Sequence, residues 1–184
     1  FDEIQFDYIR FAVDKTMNDV VFDDADTQGR NKTQAITEFI GYAHDELAKE
    51  GLFVSADVFG TIMRSEEDAA AVGQEYEDMA EQLDYICPMI YPSHYGPGNF
   101  GIEYPDTQPY DTILNALNGS RELLAASAKE DAPQAVVRPW LQDFTASYLE
   151  HYIKYGDEQV RQQIQAVYDA GYDQWILWDA GVSY

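Results

Sequence analysis

Asp7 follows Gln5 by two residues within Glu3–Phe11 (EIQFDYIRF), and Asp57 follows Ser55 by two within Leu52–Phe59 (LFVSADVF). Alternate residues of a strand share a face, so each polar pair projects to one side of an otherwise apolar run. A carboxylate on such a face needs a partner or a task, because burying it alone is costly. Two carboxylates at neighbouring strand ends can divide glycosidic cleavage, one ionised as nucleophile or base and one carrying the proton as acid. The alternative for each is a structural aspartate bonded to backbone N–H groups or paired with Arg10. Arg10 itself could clamp a substrate hydroxyl or orient a carboxylate.

Three later runs carry polar or aromatic residues with the same two-residue phase. Met89 and Tyr91 are in phase, as are Arg138, Trp140 and Gln142, and Gln174, Ile176 and Trp178. Tyr91, Trp140 and Trp178 offer flat apolar faces with a polar handle, suited to sugar rings, although such aromatics are more often core. Gln142 is a candidate hydroxyl contact, and Asp143 a further candidate acid. His94 is placed to bind substrate or move a proton, or else is bonded locally. His44 and His151 read as surface, and Cys87 as a small buried apolar group.

The elements that must position these residues alternate along the chain. Strand candidates are Glu3–Phe11, Leu52–Phe59, Tyr85–Tyr91, Ala135–Leu141 and Gln174–Trp178. Between them, helical spacing is seen from about Thr33 to Lys49, with Gly51 as the stop, and from Ser65 to near Leu83, where Ser65 and Asp68 form a capping box. Helices also start near Asp111 and near Asp157, the last stopping at Gly171. Five strands separated by four helices predict a parallel sheet with right-handed crossovers, either open and doubly wound or part of a closed barrel. A complete barrel takes about 250 residues, so 184 residues predict a portion with earlier units upstream.

The 34 acidic and 11 basic side chains give a net charge of −23. Such a surface repels phosphate backbones and anionic membranes, which argues against nucleic-acid partners, whereas neutral sugars meet no such penalty. No apolar run is long enough to span a bilayer. The single cysteine precludes an internal disulfide. Gly96, Gly98 and Gly101 spell a dinucleotide-type glycine pattern, but Pro97 removes a donor and no helical pattern opens directly after it, so no cofactor is expected. Asp24–Gly29 opens like a calcium loop, yet Ala35 stands where a bidentate glutamate is required, so no metal is expected either. No G-x-S-x-G elbow or H-E-x-x-H motif is present.

FDEIQFDYIRF (Phe1–Phe11), VSADVFG (Val54–Gly60), DYICPMIYPSHY (Asp84–Tyr95), RPWLQDF (Arg138–Phe144) and WILWDA (Trp175–Ala180) together resemble a bacterial family described as a "putative glycosyl hydrolase domain". The resemblance implies an α/β fold of the (β/α)8 TIM-barrel type, related to alpha-amylase-like glycosidases, with these five strands as the last five of eight. It implies that Asp7, on the fourth barrel strand, is the nucleophile and Asp57, on the fifth, the acid/base. Asp57 stands in place of Glu, Ala12 in place of Pro, and Asp179 in place of Asn, the last adding a third carboxylate near the site. The expectation is a glycoside hydrolase acting on an extracellular or cell-envelope polysaccharide, with residues 1–184 as the C-terminal portion of one catalytic barrel. A non-catalytic carbohydrate-binding barrel is the alternative; an open nucleotide-binding α/β domain would need a phosphate loop that the sequence lacks.

Overall fold

Ile36, Ile40 and Ala43 recur at helical spacing and become the buried stripe of a long helix, which illustrates how apolar phase lays out this chain. The computed structural model describes residues 1–14, 19–130 and 132–182. The chain divides into two compact units, Phe1–Ile86 with Ser127–Val136, and Cys87–Ala126 with Val137–Tyr184. In chain order the elements begin with β1 (Glu3–Phe6), α1 (Asp24–Thr27), α2 (Lys32–Ala48), β2 (Phe53–Phe59), α3 (Glu66–Val72) and α4 (Tyr76–Ala80). They continue with β3 (Tyr85–Ile90), α5 (Pro109–Ser127), β4 (Val136–Val137), β5 (Trp140–Gln142), α6 (Asp157–Asp169) and β6 (Ile176–Trp178).

In the first unit β1 and β2 pair in parallel, with Ile4 beside Val54, Gln5 beside Ser55 and Phe6 beside Ala56. Ile4, Phe6, Val54 and Ala56 share one face, and α2 covers it: the Phe6 ring meets Phe39 of that helix edge-on at 5.5 Å. The opposite face carries Glu3, Gln5, Ser55 and Asp57. Asn31 caps α2, its side chain accepting from the Gln34 N–H while Gln34 reaches back to the Asn31 N–H, a reciprocal box that fixes the helix start.

Two expectations for this unit are corrected. The first strand ends at Phe6 rather than Phe11, because Tyr8 adopts a left-handed backbone with φ +55°, which a β-ladder does not accommodate. The single helix expected from Ser65 to Leu83 is two short ones. Ser65 does cap the first, accepting from the Asp68 N–H at 3.1 Å. Gly73 ends it with φ +76°, the usual left-handed helix stop.

In the second unit β3, which runs on from the first, pairs with β5, and β5 with β6, all in parallel. Met89 lies beside Trp140 and Trp140 beside Ile176; Ile90 lies beside Leu141 and Leu141 beside Leu177. The expected fourth strand, Ala135–Leu141, is split into β4 and β5 around Arg138 and Pro139. Proline has no N–H for a ladder; the Pro139 carbonyl is still used, accepting from the Ile176 N–H at 2.9 Å. Helix α6 buries Gln163, Ala166 and Val167, and Gly171 (φ +89°) follows it as expected. Parallel strands alternating with helices make the fold α/β, of the (β/α) TIM-barrel type.

Candidate functional site

The polar face of the first unit is a ladder of side chains that bond one step forward along the neighbouring strand. Ser55 donates to Glu3 Oε1 at 2.6 Å, and Gln5 Nε2 donates to Asp57 Oδ1 at 2.6 Å. Asp57 is only 6% exposed. The register ends with Phe6 beside Ala56, and Asp7 and Asp57 are the residues that follow them. Asp7 is exposed, and its Oδ1 accepts from the Tyr8 N–H at 2.7 Å. That bond closes over the left-handed Tyr8, so the local strain and the carboxylate orientation are set together.

Arg10 does not clamp either carboxylate. Its guanidinium lies over the rings of Tyr8 and Phe59, at 4.9 and 4.8 Å, and reaches the Phe11 carbonyl at 3.4 Å. Gln74, which sequence reasoning missed, locks the end of β2. Its Nε2 donates to the carbonyls of Ile9 and Asp57, and its Oε1 accepts from the Phe59 N–H, each at 3.1 Å. A buried glutamine just past a helix-ending glycine is the faint signal that marks it.

The second unit assembles the remaining candidates on two faces. Trp140 and Trp178 meet edge to face at 5.9 Å, with Trp178 42% exposed. Gln142 shares their face, one register row beside Trp178. Expected to touch substrate, it is instead 0% exposed, and its amide is used within the protein. Nε2 donates to Asp106 Oδ1 at 2.9 Å and to the Phe144 carbonyl at 3.1 Å, while Oε1 accepts from the Ser93 N–H at 3.0 Å. Gln142 therefore ties three loops together. Asp106, also missed, is 2% exposed and accepts in addition from the Ile153 N–H at 3.3 Å. Burial pushes its carboxyl above the usual range, and its hydrogen bonds oppose that shift.

His94 keeps an exposed edge at the end of the turn that follows β3. Its ring meets Tyr91 at 5.1 Å, and Tyr91 meets Phe144 at 6.0 Å. Partial loss of water around the imidazole holds it below the ordinary histidine range.

Asp143 and Asp179 stand on the other parity, continuing Leu141 and Leu177 towards α6 rather than Trp140 and Trp178. They line a cavity of about 680 Å³ with Asp157, Val160, Arg161 and Ile164. They thus stand one residue out of phase with Trp140 and Trp178, which turns them to the opposite face. Burial first, then the charges of Asp179 and Asp157, raise the Asp143 carboxyl above its ordinary value. Asp179 Oδ1 accepts from the Gly181 N–H at 2.9 Å.

Among the described residues no group of three or more His, Cys, Asp or Glu side chains is arranged to hold a metal ion. Nor is any helix among them long and apolar enough to cross a membrane.

The family model described as "Putative glycosyl hydrolase domain" matches residues 1–184. Among solved structures, the chain is similar to the PgaB (BpsB) glycoside hydrolase domain from Bordetella bronchiseptica, with a TM-score of 0.58 at 13% identity over 97% of this chain and 52% of that one. It is also similar to the spore cortex-lytic enzyme SleL of Bacillus megaterium QM B1551, with a TM-score of 0.56 at 12% identity over 100% of this chain and 47% of that one. The chain thus spans about half the length of both. No curated protein sequence matches it.

Proposed function

The chain belongs to the family of this glycosyl hydrolase domain, and on that premise we propose that it contributes Asp7 and Asp57 as the carboxylate pair of a glycoside hydrolase acting on a polysaccharide. The observation that carries the reading is Asp57, a carboxylate shielded from water on the polar face of β2 and bonded by Gln5, with Asp7 the residue that follows the C-terminal end of β1. Strand C-terminal ends are where barrel enzymes gather their chemistry.

In this reading Asp7, open to solvent, is the nucleophile or base. Asp57, shielded from water, is the acid/base, and the Gln5 amide fixes its orientation. The polymer is extracellular or part of the cell envelope, and residues upstream of the chain complete the barrel.

Asp57→Asn and Asp7→Asn are each expected to lower kcat on a cleavable glycan by about 100- to 10,000-fold, with the melting temperature essentially unchanged. Turnover at the wild-type rate in either variant overturns the assignment.

A second reading, a carbohydrate-binding barrel without catalysis, is favoured by the exposed Trp178 beside Trp140. It predicts glycan affinity that Trp178→Ala weakens and Asp7→Asn leaves alone, with no product released by the unaltered protein.

A further inference from the structure

His94 is held through its Nδ1. Ser93 Oγ lies 3.1 Å from that nitrogen, and the Tyr148 hydroxyl donates to the same Oγ at 3.4 Å. A serine hydroxyl has a single hydrogen. With one lone pair of its oxygen taken by the Tyr148 hydroxyl, Ser93 has that hydrogen to offer to His94, and Nδ1 within 3.1 Å can receive it. A neutral imidazole that accepts at Nδ1 carries its proton on Nε2.

The backbone of Ser93 is held in place. Its N–H is fixed on Gln142 Oε1 at 3.0 Å, and Gln142 is itself anchored on Asp106 at 2.9 Å. Tyr91, backed by Phe144, packs against the imidazole. The depressed proton affinity of the ring agrees with a neutral state. A ring protonated at Nδ1 would instead donate to Ser93 Oγ and leave the serine hydrogen without this acceptor.

We propose that His94 is a neutral hydrogen-bond donor of fixed tautomer, presenting Nε2–H to a glycan oxygen, and that Ser93 and Tyr148 are positioning residues that set this tautomer. An N–H donor matches a hydroxyl or ether oxygen, and sugars supply both. The ligand class rests on the hydrolase reading; the tautomer does not.

The test is nitrogen NMR of the protein labelled with ¹⁵N at histidine, with the His94 signals identified against His94→Gln. At neutral pH the wild type is expected to show Nδ1 as the bare, pyridine-type nitrogen and Nε2 as the protonated one. Ser93→Ala is expected to mix the two tautomers and Ser93→Thr to restore the single one. Tyr148→Phe, at a residue 69% exposed, removes the donor to Ser93 and should weaken the preference without disturbing the fold. A wild-type ring protonated at Nδ1, or at both nitrogens, overturns the proposal, as does a tautomer indifferent to both Ser93→Ala and Tyr148→Phe.

Cellotetraose and chitotetraose serve as glycan probes. Either is expected to move the Nε2–H signal, with affinity about tenfold lower in Ser93→Ala, the scale of losing one well-oriented hydrogen bond. An Nε2–H signal that neither probe moves overturns the donor role. A signal that moves while the protein cleaves no glycan supports this inference and counts against the hydrolase reading alone.

Discussion

Asp143 shows how one residue's surroundings set its acid–base behaviour in a chain crowded with carboxylates. It is half-buried at the end of β5, where loss of water raises its proton affinity first and the charges of Asp179 and Asp157 raise it further. A carboxyl raised in the folded state adds stability that is complete below its unfolded value of about 3.9 and is lost as pH climbs through the higher folded value. Asp143→Asn removes this dependence. The melting temperature of the variant relative to wild type is therefore expected to rise as pH climbs above about 3.9, measured by scanning calorimetry. A difference that stays flat above that pH would show that neither burial nor the neighbouring carboxylates raise the Asp143 carboxyl.

The break between α3 and α4 illustrates what an element owes to distant partners. Ser65–Leu83 reads as one helix because its composition and cap are those of a helix. Gly73 interrupts it, and a Cβ there would come within 3.1 Å of the Lys32 backbone carbon and 2.9 Å of the Phe11 ring. Gln74 then spends its amide on Ile9, Asp57 and Phe59 instead of facing solvent. These partners lie 15 or more residues away in sequence, beyond the reach of any local pattern. Gly73→Ala combines left-handed strain with overpacking against backbone, so a loss of about 3 kcal/mol is expected. Urea unfolding should show a lower midpoint with an unchanged slope. The apolar stripe of α2, the shared phase of Ser55 with Asp57, and those of Trp140 with Gln142 and of Ile176 with Trp178 were legible in the sequence because each depends on local periodicity. Asp106 and the inward turn of Gln142 were not, since both depend on a loop partner more than thirty residues away. The split of the fourth strand was within reach, because Pro139 announces it.

At the scale of the whole chain the dominant fact is a net charge of −23, which opposes compaction through self-repulsion. Raising sodium chloride from about 0.01 M to about 1 M shortens the screening length from about 30 Å to about 3 Å. The melting temperature is therefore expected to rise with salt, and a fall would mean that attractive pairs such as Lys129 with Glu81 outweigh the repulsion. Charge is not the only global property written in the side chains. Gln74, Gln142 and Gln163 are buried amides whose N–H groups each face backbone carbonyls: Ile9 and Asp57, Phe144, and Gln142 and Gln159 respectively. Hydrolysis of any one to glutamate would set an acceptor, and a charge, against those oxygens. The endurance of this protein is therefore a matter of chemical ageing as well as of folding. Deamidation, slow and irreversible, would strike at the same three joints that fasten its strand ends.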